Sequence, residues 1–438
     1  MKPVDLLITN ARILTMSDDL DVIEDGLLAV RDNTIVAVEP QKENSNGYEA
    51  SKYIDARGGL VMPGLINAHT HAAMTCFRGL ADDLPLMDWL ENHIFPAESK
   101  LTSDWVYKGT LLACAEMIAS GTTTFCDMYL YTDFVARAAK DAGLRAVVGE
   151  VLYDFDSPNY GPIEKGLQYT QDLIDSWRGD PLIRIAVEPH SAYLCSPELL
   201  AQAKAIGDRE QVSMVIHLSE SEQEVQQVRQ RYGKTPVEHL AQIGFLGPRL
   251  VADHCVALTD KDMDILADHQ VKVAHNPESN MKLASGVAPI PDLLKRGVTV
   301  GIGTDGCASN NDLDLFQEMD TLAKIHKVHT MDPTVLDAAT VLGMATRGGA
   351  KVLAMEDRIG VLAPGKQADI IILDTNQPHL VPMYNPYSHL VYVFTGGDVR
   401  TTIVAGRVLM EDRRFVDLDV SQVMADVNEI ARTLLRCG

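Results

Sequence analysis

The spacing of apolar and polar residues changes near residue 60 of the chain. Before that point, short apolar runs such as Leu6–Ile8, Gly26–Val30 and Ile35–Val38 are separated by turns that contain Asp and Asn. This pattern is typical of β-hairpins. After residue 60, short apolar runs alternate with longer segments of helical periodicity. That alternation predicts βα units around a parallel sheet, and therefore an α/β fold.

The apolar runs after residue 60 predict eight strands. Helix-start signals lie between them, as in Thr235–Glu238, which has the form of a capping box with proline at the first helical position. Eight strand-helix repeats predict a closed (β/α)8 barrel of the TIM type. The runs are Leu60–Asn67, Thr122–Asp127, Arg145–Val151, Ile183–His190, Val212–His217, Leu250–His254, Val271–His275 and Val298–Asp305.

A second β-rich region begins beyond about residue 360. Ala368–Leu373, Leu390–Phe394 and Thr401–Ala405 have the composition of strands, and residues 419–436 that of a terminal helix. Because β-rich segments flank the barrel on both sides, we expect them to form one small β-sandwich domain. The predicted domains are residues 1–60 with 363–438 for the sandwich and residues 61–362 for the barrel.

The barrel prediction points to the ends of the strands, because enzymes of this fold carry their active sites at the C-terminal ends. His69 and His71 stand two residues apart, so on a strand both side chains point to the same side. The other seven runs also end in or near an ionisable residue. In a barrel, these residues would form a ring at the C-terminal ends of the strands, and the needs of folding alone do not readily explain so many of them. These residues are Asp127, Glu150, His190, His217, His254, His275 and Asp305. For Asp127, Glu150 and His275, local hydrogen bonding is the simpler interpretation.

Composition and charge narrow the range of partners. The 438-residue chain is 46% hydrophobic and 23% charged, as is ordinary for a globular enzyme. Its 38 basic and 61 acidic residues give a net charge of −23, which argues against nucleic acid or an anionic membrane as a partner. Seven cysteines without a Cys-x-x-Cys pair fit a reducing compartment. Without a signal peptide or a long apolar run, we expect a cytoplasmic protein, with homo-oligomerisation left open.

The ring of residues suits a metal site. Neutral imidazoles together with a carboxylate are ligands for Zn²⁺ or a related divalent ion that keeps a position for water, and the ion lowers the pKa of that water toward neutrality. The predicted ligands of one divalent ion, with Zn²⁺ expected, are His69, His71, His217 and Asp305. Glu220, shortly after His217, is placed to relay a proton, and His254 to orient the hydroxide.

Six short motifs lie along the chain at the predicted strand ends and near its C-terminal β region: Pro63–His71, His217–Glu220, Asp253–Val256, His275–Asn280, Gly303–Asp305 and Pro364–Asp369. Together they resemble the amidohydrolase superfamily over essentially the whole chain. Within that superfamily, the chain looks most like the 5'-methylthioadenosine/S-adenosylhomocysteine deaminases.

The resemblance implies hydrolytic deamination of an adenine nucleoside, with the same four metal ligands. Glu220 would pass a proton to the purine ring nitrogen, Asp305 would help to deprotonate the attacking water, and His254 would assist. Strand four, Val187–His190, lacks the bridging lysine of binuclear relatives, so one metal ion is implied. The implied substrate-binding residues are Trp89 at the pocket wall, Glu98 at the ribose hydroxyls, His190 at the purine, and Glu220 and Asp305.

Two alternatives remain open from the sequence. A related amidohydrolase of the guanine deaminase or triazine chlorohydrolase type would use the same metal on another heterocycle. A barrel without activity would serve as a scaffold, although all the predicted ligands are present. For the 5' substituent, Gly149–Asn159 offers no arginine and instead has Glu150 and other acidic residues. We therefore expect methylthioadenosine and adenosine to be better substrates than S-adenosylhomocysteine, unless a distant residue such as Arg78 supplies the cation.

Overall fold

The computed structural model of the chain describes residues 2–20, 22–42, 47–84 and 86–436. Two nine-stranded β-sheets organise these residues. One takes strands from both ends of the chain, and the other takes strands from the middle. None of the helices in these residues is long and apolar enough to cross a membrane.

The N-terminal strands are built around a long first strand, which pairs with three others in the same sheet. The second and third strands form the antiparallel hairpin that the sequence predicted. The five strands are β1 (Lys2–Leu14), β2 (Val22–Arg31), β3 (Thr34–Pro40), β4 (Tyr48–Asp55) and β5 (Leu60–Pro63).

The central sheet is parallel and contains a strand from each of the eight predicted runs, so the (β/α)8 fold is confirmed. The fourth run is divided into two short strands that both pair with the strand Arg145–Leu152. Parallel bridges from Val187 to Met214 and from Ser191 to His217 join the two ends of the sheet. Its strands are β6 (Leu65–Thr70), β7 (Thr122–Tyr129), β8 (Arg145–Leu152), β9 (Ile183–Ile185), β10 (Glu188–Pro189), β11 (Met214–Leu218), β12 (Leu250–His254), β13 (Lys272–His275) and β14 (Val300–Ile302).

The first predicted run, Leu60–Asn67, is not one strand. It divides at Gly64, so β5 belongs to the outer sheet and only β6 to the barrel. A Cβ atom at Gly64 would lie 2.1 Å from the side chain of Thr123, so the chain passes too close to β7 for any larger residue. The Pro63–Gly64 pair inside the run was the available signal for this division.

The helices cover the barrel and close the chain. Thr235 and Glu238 form the predicted capping box, and Gly121 ends the helix Ser103–Ser120 with a left-handed φ of 87°. The α-helices are α1 (Leu86–Trp89), α2 (Phe95–Glu98), α3 (Ser103–Ser120), α4 (Thr132–Ala142), α5 (Ile163–Trp177), α6 (Pro197–Glu210), α7 (Glu222–Tyr232), α8 (Pro236–Gln242), α9 (Asp260–Asp268), α10 (Pro277–Lys282), α11 (Ile290–Lys295), α12 (Leu315–Thr330), α13 (Ala338–Gly343), α14 (Gly349–Val352), α15 (Pro386–Tyr392) and α16 (Val420–Arg436). Short 3₁₀ segments cover Ala72–Phe77, Pro378–Leu380 and Gly396–Asp398, and π-turns cover Leu90–Ile94 and Met344–Gly348.

The C-terminal strands complete the outer sheet. The first of them pairs antiparallel with β5 on one side and with the next C-terminal strand on the other. Leu6, Ile8, Ile370 and Ile372 share an apolar core there, so both chain ends contribute to it. The exact domain boundaries, at 60 and 363, stay a prediction. The strands are β15 (Ile370–Leu373), β16 (Val399–Val404), β17 (Arg407–Glu411) and β18 (Arg414–Phe415).

One predicted strand is wrong. Leu390–Phe394 belongs largely to helix α15, which starts after Asn385, whose side chain accepts hydrogen bonds from the N–H groups of Tyr387 and Ser388. Leu390 and Val391 are both buried, and a short apolar run on a buried helix resembles a strand. The Asn-Pro pair at 385 and 386 was the available helix-start signal.

Candidate metal centre and active-site pocket

The predicted ligands lie together at the C-terminal ends of the barrel strands. His69 is on β6, His217 on β11, and Asp305 three residues after β14. Asp305 has a left-handed φ of 60°, and His254 at the end of β12 has one of 68°. Left-handed backbone is uncommon for residues other than glycine, although this chain also adopts it at turns outside the site, such as Asn10 and Asp412.

Four side-chain atoms converge on one point. Asp305 Oδ1 lies 3.6 Å from His69 Nε2 and 3.2 Å from His71 Nε2. His71 Nε2 in turn lies 3.3 Å from His217 Nε2. Two groups of side chains are close enough to bind a metal ion, and both include His69, so they describe a single centre in the part of the chain that the structure describes.

The outer nitrogen of each predicted histidine ligand faces an acceptor. His71 Nδ1 bonds to the carbonyl oxygen of Met128, and His217 Nδ1 lies 2.9 Å from that of His190. His69 Nδ1 lies 3.0 Å from the buried Asp253 carboxylate. With Nδ1 protonated and donating, each Nε2 keeps its lone pair for a metal ion. His69 Nε2 is buried and lies 3.6 Å from Asp305 Oδ1, beyond hydrogen-bond distance, so its lone pair is available to a metal ion. These residues fit a divalent ion.

The Asp305 carboxylate is held in place by its own loop and by helix α10. Its Oδ2 accepts hydrogen bonds from Ser279 Oγ at 2.6 Å and Ser309 Oγ at 2.8 Å. Its Oδ1 accepts one from the Gly306 N–H at 2.8 Å and is the atom that faces the histidines. The carboxylate is thus fixed in orientation before any ligand binds.

His254 differs from the three other histidines at its outer nitrogen. The side-chain amide nitrogens of Asn280 and Asn276 lie 2.9 Å and 3.4 Å from His254 Nδ1, so this nitrogen accepts a hydrogen bond. The proton of the neutral ring is then on Nε2. Burial lowers the pKa of His254 to about 3, which keeps the ring neutral. A protonated Nε2 is a hydrogen-bond donor, not a metal ligand.

Glu220 faces the same space from the loop after β11. Its backbone N–H donates to Glu224 Oε2 at 2.7 Å, so Glu224 fixes the loop. Burial, and after it the carboxylates of Asp305 and Glu224, raise the pKa of Glu220 well above its usual value. A carboxyl group with a raised pKa can hold a proton at neutral pH and give it up.

A pocket opens above the centre. The structure brings eight of the nine predicted site residues to its lining, and His69 lies buried beneath it. Burial raises the pKa of Glu98 to about 7 and lowers that of His190 to about 3. The predicted residues in the lining are His71, Trp89, Glu98, His190, His217, Glu220, His254 and Asp305.

Comparison with known proteins agrees with this arrangement. Residues 60–409 match the model of the amidohydrolase family. The chain belongs to this family. It is 60% identical to the 5-methylthioadenosine/S-adenosylhomocysteine deaminase of Syntrophobacter fumaroxidans over 98% of both chains. It is 48% identical to the 5'-deoxyadenosine deaminase of Methanothermobacter thermautotrophicus over 96% of both. Among solved structures, a zinc-bound adenosine deaminase from Xanthomonas campestris is similar with a TM-score of 0.97 and 37% identity over 99% of both chains.

Three ring residues of this amidohydrolase make local contacts outside the pocket lining. Asp127 accepts a hydrogen bond from Thr70 Oγ1 at 2.9 Å. Glu150 faces away from the pocket and accepts bonds from the Thr132 N–H at 2.9 Å and from Asn159 Nδ2 at 2.8 Å. His275 Nε2 lies 3.1 Å from His326 Nε2. The simpler interpretation of these three residues fits the structure.

Sequence reasoning missed two buried carboxylates in this amidohydrolase. Asp253 orients His69, and its place next to His254 at a strand end was the signal that could have identified it. Glu188 is fully buried, and neither of its oxygens has a hydrogen-bond partner among the described residues. A Cβ atom at Gly149 would lie 2.4 Å from the Glu188 side chain, so the glycine leaves the space that this side chain fills.

Proposed function

We propose that this chain is a deaminase that uses one divalent metal ion, with Zn²⁺ expected, to hydrolyse adenine nucleosides to inosine-type products and ammonia. The preferred substrates are methylthioadenosine, 5'-deoxyadenosine and adenosine. The observation that carries the proposal is the single centre of three Nε2 atoms and Asp305 Oδ1 below a pocket that also contains Glu220 and His254. The names of the relatives at 60% and 48% identity support the substrate class.

The proposed reaction adds water at C6 of the purine and releases the 6-amino group as ammonia. A divalent ion held by His69, His71, His217 and Asp305 would supply the nucleophile by lowering the pKa of water toward neutrality. Glu220 gives a proton to N1 of the purine, which makes C6 more electrophilic.

Two further residues serve the attacking oxygen. Asp305, whose carboxylate is held in place by Ser279 and Ser309, accepts a proton from the attacking water. His254 donates from Nε2 to that attacking oxygen and fixes its direction toward C6. The proton that Asp305 accepts leaves with the amino group, and the proton of the new C6 hydroxyl group returns to Glu220 as the C6 carbonyl forms. Water and substrate therefore yield the inosine-type product and ammonia, with both carboxyl groups restored.

The remaining site residues bind the nucleoside. Glu98 lies in the lining beside Tyr129, where a carboxylate accepts hydrogen bonds from the two ribose hydroxyls. The neutral His190 contacts the purine, and the buried Trp89 forms a flat apolar wall. These roles, together with a cytoplasmic location and the absence of nucleic-acid and membrane partners, stay predictions.

The surroundings of the 5' substituent favour a small neutral group. Leu90, Phe95, Val151 and Tyr153 line the pocket, and its described lining contains no Lys or Arg. Arg78 cannot supply the missing cation, because its guanidinium pairs with Glu116 and bonds to the Asn311 carbonyl. The carboxylate of S-adenosylhomocysteine would therefore lose its water without gaining a partner. Glu150 lies outside the pocket lining and does not repel the substrate. The expected preference for methylthioadenosine over S-adenosylhomocysteine therefore rests on the absence of a cation in the lining, not on repulsion by acidic residues.

Ammonia release from a panel of compounds tests the function. We expect methylthioadenosine, 5'-deoxyadenosine and adenosine to be deaminated, with kcat/KM for methylthioadenosine at least about tenfold above that for S-adenosylhomocysteine. Guanine, cytosine and a chlorinated triazine should remain unchanged. Turnover of guanine or the triazine in preference to every adenine nucleoside would contradict the proposal.

A further inference from the structure

We propose that a cleft at the opposite end of the barrel binds an organic phosphate, in which a phosphate group is joined to a flat apolar body. The cleft is lined by Val147 near the start of β8, by all of β9, and by Val212 and Ser213 just before β11. It lies at the N-terminal ends of these strands, whereas the metal centre lies at the C-terminal ends. Its ligand is therefore not the nucleoside substrate of the active site.

The charge of this cleft is opposite to that of the chain. Its lining contains four arginines and one carboxylate, that of Asp180, in a protein of net charge −23. Asp180 is already engaged, because it pairs with Lys140 at 2.7 Å. The arginines are Arg178, Arg184, Arg249 and Arg358.

Two of the four arginines lack an acidic partner. Arg178 pairs with Glu210 at 2.8 Å and Arg249 with Asp208 at 2.6 Å. Arg184 donates to the Ala354 carbonyl at 2.9 Å, and Arg358 to the Pro181 carbonyl at 3.2 Å. Neither Arg184 nor Arg358 forms an ion pair within the described ranges of the chain. A guanidinium has five N–H donors, so both keep donors for a ligand.

These two arginines also repel a third one behind them. Arg145 is buried, pairs with Asp369 at 2.9 Å, and donates to the same Pro181 carbonyl as Arg358. Burial first, and the Arg145 charge second, lower the pKa of both Arg184 and Arg358. Glu356 acts on Arg184 and Asp369 on Arg358 with opposite charge, but neither carboxylate forms an ion pair with these two arginines, so the cleft keeps positive charge available for an anion. A phosphate dianion neutralises two such charges and accepts bidentate hydrogen bonds from guanidinium groups.

The rest of the cleft suits an apolar body. Its volume is about 600 Å³, within the range of small-molecule sites. Ile174, Ile183 and Val212 contribute apolar walls, and the Trp177 ring is fixed because its Nε1–H donates to Asp133 Oδ1 at 3.0 Å. The fixed indole of Trp177 lies in the same cleft as the guanidinium groups of Arg184 and Arg358. This arrangement favours a ligand in which a flat ring is joined to a phosphate group.

Calorimetric titration of the full-length protein with phenyl phosphate, inorganic phosphate and phenol tests the site. We expect phenyl phosphate to bind most tightly, inorganic phosphate more weakly and phenol not measurably. The double variant Arg184→Gln/Arg358→Gln should weaken phenyl phosphate binding by at least about tenfold, since it removes the charge-assisted bonds. The control Arg229→Gln/Arg432→Gln removes two exposed arginines that form no ion pair among the described residues and lie outside the cleft, and it should bind as the wild type does.

Three results would overturn the proposal. One is the absence of phenyl phosphate binding to the wild type. Another is equal loss of binding in the control variant, which would show that only net charge matters. The third is a change of oligomeric state in the double variant without any loss of phosphate binding, which would make the cleft a contact between copies of the chain. If the double variant does not fold, Arg358→Gln alone carries the test and should weaken binding at least about threefold.

Discussion

Glu220 is the residue whose carboxyl group moves a proton in the proposed reaction. We expect Glu220→Gln to lower kcat for methylthioadenosine by at least about 10², because proton transfer of this kind contributes about 10²–10⁴ and an amide cannot perform it. Its zinc content should equal that of the wild type, since Glu220 lies outside the ligand set. Glu222→Gln, an exposed neighbour on α7, is the matched control. Loss of zinc from Glu220→Gln would show that the residue is a ligand.

Glu150 gives the stability of the chain a pH dependence. Burial raises the pKa of Glu150 from 4.5 to about 7, so the folded state favours its protonated form. The resulting stability is present below the unfolded pKa and is lost as pH rises through about 7. Between pH 5 and pH 8, the free energy of unfolding of the wild type should fall by roughly 2 kcal/mol relative to Glu150→Gln. Urea unfolding of both proteins at both pH values measures this, and a constant difference would contradict it.

At the scale of single residues, the local sequence was enough to locate the metal-binding histidines. It did not reveal the groups that orient their rings. His69 and His71 are two residues apart, and His217 ends an apolar run, so strand geometry was enough to place them. The carbonyl oxygens of Met128 and His190 contact these rings from other strands. Contacts between strands depend on register, which the sequence of one strand does not contain.

At the scale of elements, the loop after β8 shapes the space for the 5' substituent. Phe155 is partly exposed and stacks on the pocket residue Tyr153 with ring centroids 3.8 Å apart. An arginine at this position would bring a cation to the pocket edge. We expect Phe155→Arg to reduce the preference for methylthioadenosine over S-adenosylhomocysteine at least about threefold, as one exposed ionic contact allows. Phe155→Gln removes the same ring without adding charge. It should change the preference for methylthioadenosine over S-adenosylhomocysteine less than Phe155→Arg does. Equal effects of both variants would attribute the preference to ring size.

Elements were predictable where periodicity and capping agreed. The βα alternation gave every barrel strand, and Thr235 gave the start of α8. The errors arose where an apolar run was buried on all sides, as at Leu390–Phe394 and at Leu60–Asn67. Full burial removes the polar positions that distinguish a helix from a strand or one sheet from another.

At the scale of the whole molecule, the outer sheet joins the two chain ends to the barrel. The buried Arg145 of β8 forms two hydrogen bonds to Asp369, at 2.9 Å and 3.1 Å, just before β15. Flanking β-rich segments were enough to predict that both ends share one domain. The Arg145–Asp369 pair was not predictable, because 224 residues separate its members. The same distance in sequence concealed the arginine cleft, whose residues come from five separate segments.

The central claim is that one metal centre carries out the deamination of adenine nucleosides. Zinc titration of the metal-free protein tests it most directly, because the titration measures metal content and activity together. Methylthioadenosine deamination should be absent without metal, should rise in proportion to added zinc, and should saturate at about one ion per chain. The products should be the inosine-type nucleoside and ammonia in equal amounts. Full activity without metal, saturation only at two ions per chain, or a product other than the deaminated nucleoside would contradict the proposed function.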